Sequence, residues 1–391
     1  MKVVVTGIGL LCALGNLEIS WFRLVAGQSG IQLHQPFPEL APRPLGLISE
    51  TPDELATLTH LVVASALQDA GLVPPLPDCG VVIGSSRSCQ ASWEQLARQY
   101  YQLREKETSR SRFLALAEND IDLSHWLDTL PNRGAIAAAS LIGAVGPVLA
   151  PMAACATGIW AIAQGYELIK TGQCQRAIVG AVEAPVTPLT LAGFDKMGAL
   201  ARTGAYPFDR RREGLVLGEG GAVLVLESAE LAAQRQAPVY GQILGFGLTA
   251  DAYHVCATES SSSSAIAAVK QCLDRSHLSP SDIDYIHAHG TATQLNDQHE
   301  AYLIQHLFPQ GVPVSSTKGA TGHTLGASGA LGAAFCLMGM KSQRTPPSVG
   351  LIEPEFNLDF VTSPRWSEMR RVLCFSFGFG GQNAVMALGR Y

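Results

Sequence analysis

The feature that most restricts the fold of this chain is a helical segment that has no polar face. Residues 325–340 read LGASGALGAAFCLMGM, a run of Ala, Gly and larger apolar residues that carries no charge. Residues 157–169, TGIWAIAQGYELI, are similar in composition. A helix that is apolar on every side is buried in the interior, and small residues let its neighbours approach closely. The sequence therefore predicts a layered core in which these two helices lie between sheets.

Short apolar runs rich in Val and Ile alternate with helical segments along the chain. The runs are continuously apolar, which is typical of strands that are covered on both faces. This pattern predicts an α/β protein with a buried sheet system. The expected strands are residues 3–5, 81–83, 177–182, 222–226, 283–287, 312–315 and 372–375. The expected helices are residues 58–70, 156–171, 265–275, 298–307 and 325–341.

The chain divides into two halves that resemble one another weakly. A strand, a turn of small residues and a buried helix follow each other at residues 150–169 and again at residues 314–340, which indicates a duplication. A polar segment with charges of both signs and a proline, residues 227–239, separates the two. We therefore expect an N-terminal half at residues 1–233 and a C-terminal half at residues 234–391.

Composition excludes several classes of protein. Of the 391 residues, 47% are hydrophobic and 15% are charged, which excludes a disordered chain or a coiled coil. The formal net charge of −6 argues against nucleic acid as a partner, because domains that bind it are usually basic. No apolar stretch has the roughly 18 residues that a membrane span requires. The N-terminus resembles a strand and not an export signal, so we expect a cytoplasmic protein that does not enter membranes.

One of the nine cysteines lies at a position suited to catalysis. The cysteines are odd in number and scattered, without a CxxC pair, which indicates neither a disulfide framework nor a zinc site. Cys155 lies where an apolar strand stops and a helix begins. The free N–H groups and the positive end of the helix dipole favour a thiolate there. A buried structural cysteine is the alternative, since most cysteines are buried.

Two histidines lie in turns of small residues at the ends of predicted strands. His289 is in the segment AHGTAT, and His323 follows Lys318 by five residues in STKGATGH. Ligands bind at strand ends in α/β sheets, although a single histidine in such a turn is more often a hydrogen-bonding residue. Further along, Asp297 and Glu300 fit either the N-terminal cap of a helix or, for Glu300, a residue that orients the site.

Two glycine-rich segments do not fit a nucleotide-binding loop. Residues 374–384, CFSFGFGGQNA, form a strand that runs into a glycine-rich loop, but no GK[ST] sequence follows. Residues 218–221 read GEGG, but a strand and not a helix follows them, so the context for dinucleotide binding is missing. No redox-cofactor motif or set of metal ligands is visible, and we expect no cofactor and no metal.

Six motifs occur in a characteristic order along the chain. They are TGIG at residues 6–9, AACATG at 153–158, PFDRRREGLVLGEG at 207–220, AHGTAT at 288–293, STKGATGHTLGASG at 316–329 and FSFGFGGQNA at 375–384. In this order they resemble the β-ketoacyl-[acyl-carrier-protein] synthases of the type I/II class over essentially the whole chain. The resemblance implies a thiolase-like fold of five layers, αβαβα, built from two similar halves. It also implies decarboxylative condensation of malonyl-carrier protein with an acyl chain in fatty acid biosynthesis.

The resemblance implies chemical roles for the residues of these motifs. Cys155 would carry the acyl chain as a thioester, and His289 with His323 would assist the loss of CO₂ from the malonyl group. A soft nucleophile at a helix start needs little base catalysis, and two imidazole N–H groups can hold a thioester oxygen as it becomes negative. The backbone N–H groups of Cys155 and Phe379 would form the oxyanion hole for the acyl carbonyl.

Further roles implied by the resemblance concern support of the site and binding of the substrate. Lys318 would tune and orient His323, and Glu300 would support the site through hydrogen bonds. The implied substrate-binding residues are Thr291 and Thr293 on the pantetheine arm, Phe377 and the gating residue Phe379 at the acyl pocket, and Trp93, which would restrict the primer to short or medium chains.

The resemblance also implies two protein partners, an acyl carrier protein and a second copy of the chain in a homodimer. Relatives carry basic residues that meet the acidic carrier between positions that correspond to 43 and 87, where this chain has none. Other basic residues would supply the positive potential: Lys196, Arg210, Arg211 and Arg212, or the insertion at residues 98–112. A solvated helix face is the alternative for the insertion.

Three other functions remain open. A ketosynthase of a specialised polyketide or secondary-lipid pathway uses the same catalytic residues. A thiolase or a synthase primed by coenzyme A has the same fold, but pairs its cysteine with His-Asn or His-Cys where this chain has two histidines. A chain-length factor is a non-catalytic partner of the same fold that characteristically lacks the cysteine, whereas this chain has Cys155.

Overall fold

Strands from both ends of the chain form one hydrogen-bonded sheet in this computed structural model, which describes residues 1–106, 126–255, 259 and 262–391. The strands are β1 (Val3–Cys12), β2 (Gly15–Asn16), β3 (Gln32–His34), β4 (Arg43–Leu45), β5 (Cys79–Gly84), β6 (Val148–Leu149), β7 (Arg176–Glu183), β8 (Gly220–Ser228), β9 (Gly241–Ala250), β10 (Tyr285–His287), β11 (Pro313–Ser315), β12 (Arg344–Thr345), β13 (Asp359–Phe360), β14 (Arg365–Trp366), β15 (Arg371–Gly378) and β16 (Gln382–Gly389). The order across the large sheet is β13-β11-β10-β15-β16-β9-β1-β8-β7-β5-β6, and β2 pairs with β1 beside this path. Strands β3 and β4 form a separate pair, as do β12 and β14.

Helices cover both outer faces of this sheet and fill the space between its two halves. They are α1 (Leu17–Val25), α2 (Leu55–Asp69), α3 (Gln90–Lys106), α4 (Arg133–Ile142), α5 (Thr157–Lys170), α6 (Pro188–Lys196), α7 (Ala229–Gln234), α8 (Ser263–Ser276), α9 (Gln294–Leu307), α10 (Lys318–Thr321) and α11 (Ser328–Ser342). Both central helices, α5 and α11, pack in one apolar cluster against strands of both halves. Helices α2 and α4 cover one outer face, and α8 and α9 cover the other. The predicted αβαβα layers are therefore confirmed.

The two halves of the sheet meet at a narrow junction. Strand β1 pairs with β9 only over Val3–Val5, opposite Gly241–Ile243.

The helix predicted to have no polar face is α11, in which every residue from Ser328 to Met340 is buried. Among the described helices, none is long and apolar enough to cross a membrane.

Each predicted strand and helix overlaps an observed one, but the sequence analysis missed strands β9 and β16 and most of β1. In β1 and β9, interior glycines resemble turn signals. At Gly9 an added Cβ would lie 1.9 Å from the carbonyl oxygen of Val62 in α2, and at Gly247 it would lie 1.7 Å from that of Ala268 in α8. Glycine therefore lets the outer helices pack directly on the strands, and it does not end them.

Among the described residues, β6 forms the outer edge of the N-terminal half of the sheet, with no strand paired on its far side. The predicted strand at residues 177–182 lies in β7, which is paired with β5 and β8 on its two sides. Around β6 the side chains of Val145 and Met152 are 81% and 57% exposed, and both residues of β6 are more than one-third exposed. An unpaired edge with exposed apolar side chains is suited to pairing with another chain.

Candidate active site

A strained turn places Cys155 immediately before helix α5. The preceding residue, Ala154, has a φ of +47°, a left-handed conformation that is uncommon for a residue with a side chain. The hydroxyl of Thr157 accepts a hydrogen bond from the N–H of Ala153 (2.8 Å) and donates one to the carbonyl of Ala154 (2.6 Å). These bonds fix the turn, and Cys155 is 7% exposed at its tip.

The end of strand β15 packs against the backbone of this turn. Ser376 donates a hydrogen bond from its hydroxyl to the carbonyl of Cys155 (2.8 Å). A Cβ at Gly378 would lie 3.0 Å from both the carbonyl oxygen of Ala153 and the nitrogen of Cys155. The backbone of Phe379 faces the sulfur of Cys155 and lowers the pKa of the thiol, in opposition to burial. The glycine-rich segment at residues 374–384 therefore packs directly against the turn that carries Cys155.

Two histidines from the C-terminal half face Cys155. His289 follows strand β10 and His323 follows helix α10, and both are 2% exposed. The rings are nearly perpendicular, with centroids 5.4 Å apart. One ligand atom of each histidine and the sulfur of Cys155 all lie within 4.8 Å of one another. The structure thus brings together the three residues from separate motifs.

A thiol and two imidazoles at this spacing are also a donor set that zinc accepts. The sulfur of Cys155 and one nitrogen each of His289 and His323 are the atoms that could bind it. The absence of a metal was an expectation from the sequence, and it stays a prediction.

Two buried carboxylates hold the loop that carries His289. Glu300 accepts hydrogen bonds from the N–H groups of His289 (2.6 Å) and Gly290 (2.7 Å). Asp297 accepts a bond from the N–H of Phe208 (2.7 Å). The capping alternative is wrong, because the residue before the first turn of α9 is Thr293. Both carboxylates instead bind backbone groups of neighbouring segments.

The ammonium group of Lys318 contacts His289 and not His323. Its Nζ donates to the carbonyl of His289 and lies 3.4 Å from Nδ1 of the same residue. The Nδ1 of His323 is paired instead with the hydroxyl of Ser328 (2.9 Å). The expectation that Lys318 orients His323 is therefore wrong. Ser328 was missed, because nothing distinguishes it among the small residues at the start of α11.

Burial controls the protonation of this site. It raises the pKa of the Cys155 thiol to about 11, although the positive charge of Lys318 partly opposes the shift. Burial also holds the pKa of both His289 and His323 well below the ordinary value, and the charge of Lys318 lowers them further. Burial therefore opposes the thiolate that the helix start favours, and we expect a neutral thiol and two neutral imidazoles in the resting site near pH 7.

The raised pKa predicts how Cys155 reacts with iodoacetamide. Only the thiolate is alkylated, so the rate at Cys155 is expected to rise about tenfold per pH unit from pH 7 to 10, without a plateau. An unperturbed cysteine, with a pKa of about 8.5, levels off above pH 9. The rate is followed by mass spectrometry of the peptide that contains Cys155. A plateau that begins below pH 8.5 would contradict the assignment.

Cys155, His289 and His323 line a cavity of about 330 Å³, which we call the Cys155 cavity. Its apolar wall includes Phe194, Leu215, Leu325, Phe377 and Phe379. Its polar wall includes Glu213, Asp251, Thr291, Thr293, Asn296 and Asn383. The predicted substrate residues Thr291, Thr293, Phe377 and Phe379 are thus all at the cavity, and the two threonine hydroxyls are hydrogen-bonded to each other (2.8 Å).

Trp93 lies away from this cavity. It is on helix α3, its side chain is 44% exposed, and it is not among the lining residues. Within one chain Trp93 does not contribute to this cavity, and its role in limiting the length of the primer stays a prediction. The motifs place residues near the cysteine, but the segment around Trp93 contains none of them.

The predicted docking residues differ in exposure. Arg212 is buried, with its guanidinium paired to Glu355. It has no surface to offer a protein partner, so its assignment as a docking residue is wrong. The guanidinium of Arg211 is held by the carboxylate of Asp209 through two hydrogen bonds, at 2.8 and 3.1 Å.

The remaining basic candidates are exposed or fall outside the described part of the chain. Lys196, at the end of α6, and Arg210 are both exposed. Residues 107–112 of the insertion at residues 98–112 lie outside the described residues. Its first arginine, Arg98, is described and pairs with Glu39 at 3.0 Å.

Comparisons with known proteins agree with this fold. The fold is that of the thiolase-like condensing enzymes. Residues 48–232 match the family model described as Beta-ketoacyl synthase, N-terminal domain, and residues 240–351 match the corresponding C-terminal domain. The chain belongs to the β-ketoacyl synthase family.

Two relatives of this chain carry the curated name of a 3-oxoacyl-[acyl-carrier-protein] synthase. A protein named 3-oxoacyl-[acyl-carrier-protein] synthase 2 from Mycobacterium bovis is 32% identical over 100% of this chain and 97% of its own length. A protein of the same name from Staphylococcus aureus is 36% identical, but that alignment covers 64% of this chain and 63% of the relative.

Solved structures extend the likeness to polyketide synthesis. A type II polyketide ketosynthase, in complex with its acyl-carrier protein and bound to a hexaketide, has a TM-score of 0.92 at 26% identity. A β-ketoacyl synthase from Burkholderia phymatum has a TM-score of 0.87 at 27% identity. Each comparison covers 100% of this chain and 99% of the other.

Proposed function

We propose that this protein is a 3-oxoacyl-[acyl-carrier-protein] synthase of fatty acid biosynthesis. It transfers an acyl chain from a carrier protein to Cys155 and condenses it with a malonyl group held on a carrier protein. The malonyl group loses CO₂, and the chain grows by two carbons. The observation that carries the proposal is the meeting of Cys155, His289 and His323 in one cavity, with their reactive atoms within 4.8 Å of one another.

The neighbours of the two histidines give them different proton chemistry. An ammonium group can only donate, so Lys318 keeps Nδ1 of His289 as an acceptor and leaves the proton on Nε2. The hydroxyl of Ser328 can donate or accept, so His323 can hold its proton on either nitrogen. His289 is therefore a fixed hydrogen-bond donor, and His323 can also accept a proton.

In the first step, the sulfur of Cys155 attacks the carbonyl carbon of the acyl thioester. The thiol proton passes to Nε2 of His323 and then to the departing pantetheine thiolate, so no net proton is gained. The N–H groups of Cys155 and Phe379 stabilise the negative oxygen of the tetrahedral intermediate. A neutral His323 is needed for this transfer, and burial keeps it neutral by lowering its pKa.

In the second step, the bond between the malonyl carboxylate and its neighbouring carbon breaks and CO₂ leaves. The electron pair moves into an enolate, whose oxygen accepts hydrogen bonds from Nε2–H of His289 and of His323. The enolate carbon attacks the carbonyl carbon of the acyl group on Cys155. The bond between that carbonyl carbon and the sulfur of Cys155 then breaks. The released thiolate takes a proton that solvent supplies through His323.

These roles predict different effects for the two histidines. His289→Ala is expected to slow CO₂ release from malonyl-carrier protein about a hundredfold or more, because one oxyanion donor is lost, while Cys155 is still acylated. His323→Ala is expected to slow both reactions. Acylation is measured by intact mass and CO₂ release by a coupled assay. Normal CO₂ release by the His289 variant, or normal acylation by the His323 variant, would contradict the roles.

A ketosynthase of a specialised polyketide pathway is the second candidate. It is favoured by the likeness to a ketosynthase that is bound to a hexaketide, at a TM-score of 0.92. The same residues would perform the same chemistry, and the difference would lie in the acyl group that is accepted.

The proposal includes two protein partners and the cytoplasm as location. We assign docking of the acyl carrier protein to two exposed basic residues, Lys196 and Arg210. Their positive charge would attract the acidic carrier and guide the encounter. A second copy of the chain would pair with the outer edge at β6, where Val145 and Met152 are exposed. The division into functional halves at residues 1–233, with Cys155, and 234–391, with both histidines, belongs to the same proposal.

A further inference from the structure

A rigid turn beside the Cys155 cavity carries an arginine that the mechanism does not use. Residues 84–88 follow strand β5 and wrap around the buried carboxylate of Glu183. This carboxylate accepts hydrogen bonds from the hydroxyls of Ser85 and Ser86 and from the N–H groups of Ser86 and Arg87, the last at 3.2 Å. The backbone at Arg87 is therefore fixed in place.

The ring of Phe194 lies between the guanidinium of Arg87 and the cavity. The central carbon of the guanidinium is 5.5 Å from the ring centroid of Phe194. Phe194 lines the cavity and stacks on Phe379, with centroids 6.1 Å apart. Phe194 also packs in the same apolar cluster as Cys155. An acyl chain on Cys155 that runs along Phe194 thus approaches a positive charge.

No carboxylate lies within ion-pair distance of Arg87 among the described residues. The side chain is exposed, whereas the other cation of the site, Lys318, is buried and fully engaged with His289. The charge of Arg87 nevertheless lowers the pKa of Cys155, in opposition to burial, so it acts on the cavity.

The chemistry of a free arginine beside an apolar wall favours a particular kind of acyl group. A plain alkyl chain laid over the guanidinium would remove water from it and return no hydrogen bond, which is unfavourable. A carboxylate can bind the planar guanidinium through two parallel hydrogen bonds. Phe194 holds the guanidinium by a cation–π contact, which leaves its N–H groups available at the edge.

We propose that Arg87 is a specificity-determining residue that selects acyl groups with a carboxylate at the end remote from the thioester. This inference rests on the proposed function, since it requires an acyl chain on Cys155. It identifies a short dicarboxylic acyl group as the preferred primer, in place of an unsubstituted fatty acyl chain.

The test compares three primers of equal length on the same carrier protein: hexanedioyl, hexanoyl and 3-oxohexanoyl. Acylation rates at Cys155 are measured by intact mass for the wild-type protein, Arg87→Met and Arg87→Lys. The wild type is expected to react fastest with hexanedioyl. Arg87→Met is expected to lower that rate about tenfold to a hundredfold, as for loss of hydrogen bonds to a charged group. Its hexanoyl rate is expected to stay the same or rise, which also shows that the variant is folded.

Arg87→Lys is expected to retain part of the preference, because the charge remains while the planar pair of donors is lost. An unchanged ratio of hexanedioyl to hexanoyl rates in Arg87→Met would overturn the inference alone. A wild type that prefers 3-oxohexanoyl to hexanedioyl would overturn the assignment of a carboxylate. No acylation of the wild type by any primer would overturn the proposed function, and this inference with it.

Discussion

Replacing Cys155 with alanine is expected to lower the rate of condensation at least about a thousandfold, because the acyl chain has no other nucleophile to carry it. The variant is expected to retain CO₂ release from malonyl-carrier protein. That reaction forms no bond to sulfur, and it depends on the N–H groups of His289 and His323. The two reactions are measured in one assay, as CO₂ released and as 3-oxoacyl product formed.

The matched control is Cys174→Ala. Cys174 is also buried, but it lies after helix α5 and does not line the Cys155 cavity. This variant is expected to condense at the wild-type rate. Condensation by Cys155→Ala within tenfold of wild type would show that the acyl chain is carried elsewhere.

The second large effect is expected at Lys318, for reasons of both stability and chemistry. Its buried ammonium group lies near the buried carboxylate of Glu300, and each charge favours the ionised form of the other. Lys318→Met leaves the carbonyl of His289 without its buried donor and Glu300 without a nearby positive charge, and loss of a hydrogen bond to a charged group costs about 1.5–3 kcal/mol. The free energy of unfolding, measured with denaturant, is expected to fall by this amount.

The double variant Lys318→Met with Glu300→Gln separates stability from chemistry. Neutralising Glu300 is expected to restore part of the unfolding free energy, because no uncompensated charge remains. The gain is limited, since glutamine keeps only one of the two oxygens that accept the N–H groups of His289 and Gly290. Condensation is expected to stay impaired, since Nδ1 of His289 still lacks its donor. A double variant that regains wild-type activity would contradict the role of Lys318 at His289.

The position of Lys318 also predicts how the rate of condensation depends on pH. Its positive charge lowers the pKa of both His289 and His323. Without that charge the two pKa values rise, so the histidines become protonated at higher pH. Because the reaction requires neutral imidazoles, the acid limb of the pH–rate profile is expected to move to higher pH in the double variant. An acid limb that stays in place or moves to lower pH would contradict this account.

Much of the fold and the main site residues could be predicted from the sequence because the signals are local. The segment at residues 325–340 has no polar face, and only a position between sheets can bury it. Cys155, His289 and His323 each lie in a short motif at the end of a strand or the start of a helix. Their meeting depends on the packing of the two halves, because β6, before Cys155, and β10 and β11, before the histidines, lie toward opposite ends of the sheet. Helices α5 and α11, which follow Cys155 and His323, pack on each other and bring the three residues together.

The properties that the sequence did not reveal depend on contacts between distant segments. Whether Lys318 reaches His289 or His323 is decided by how the loop after β10 packs on α10. The pKa of Cys155 follows from complete burial, which opposes the local effect of the helix start. The sequence around Arg87 carries no motif that predicts a role in specificity. That role depends on the contact of its guanidinium with the ring of Phe194, which is 107 positions away in the chain.

The central claim is that Cys155 carries the acyl chain and that the chain then grows by two carbons. The direct measurement is peptide mass spectrometry of the wild-type protein, first incubated with acyl-carrier proteins of graded length and then with malonyl-carrier protein. The account predicts acylation at Cys155 alone, followed by its loss as a 3-oxoacyl product two carbons longer appears on the carrier. Acylation at another residue, or an acyl-Cys155 that malonyl-carrier protein does not discharge, would contradict it.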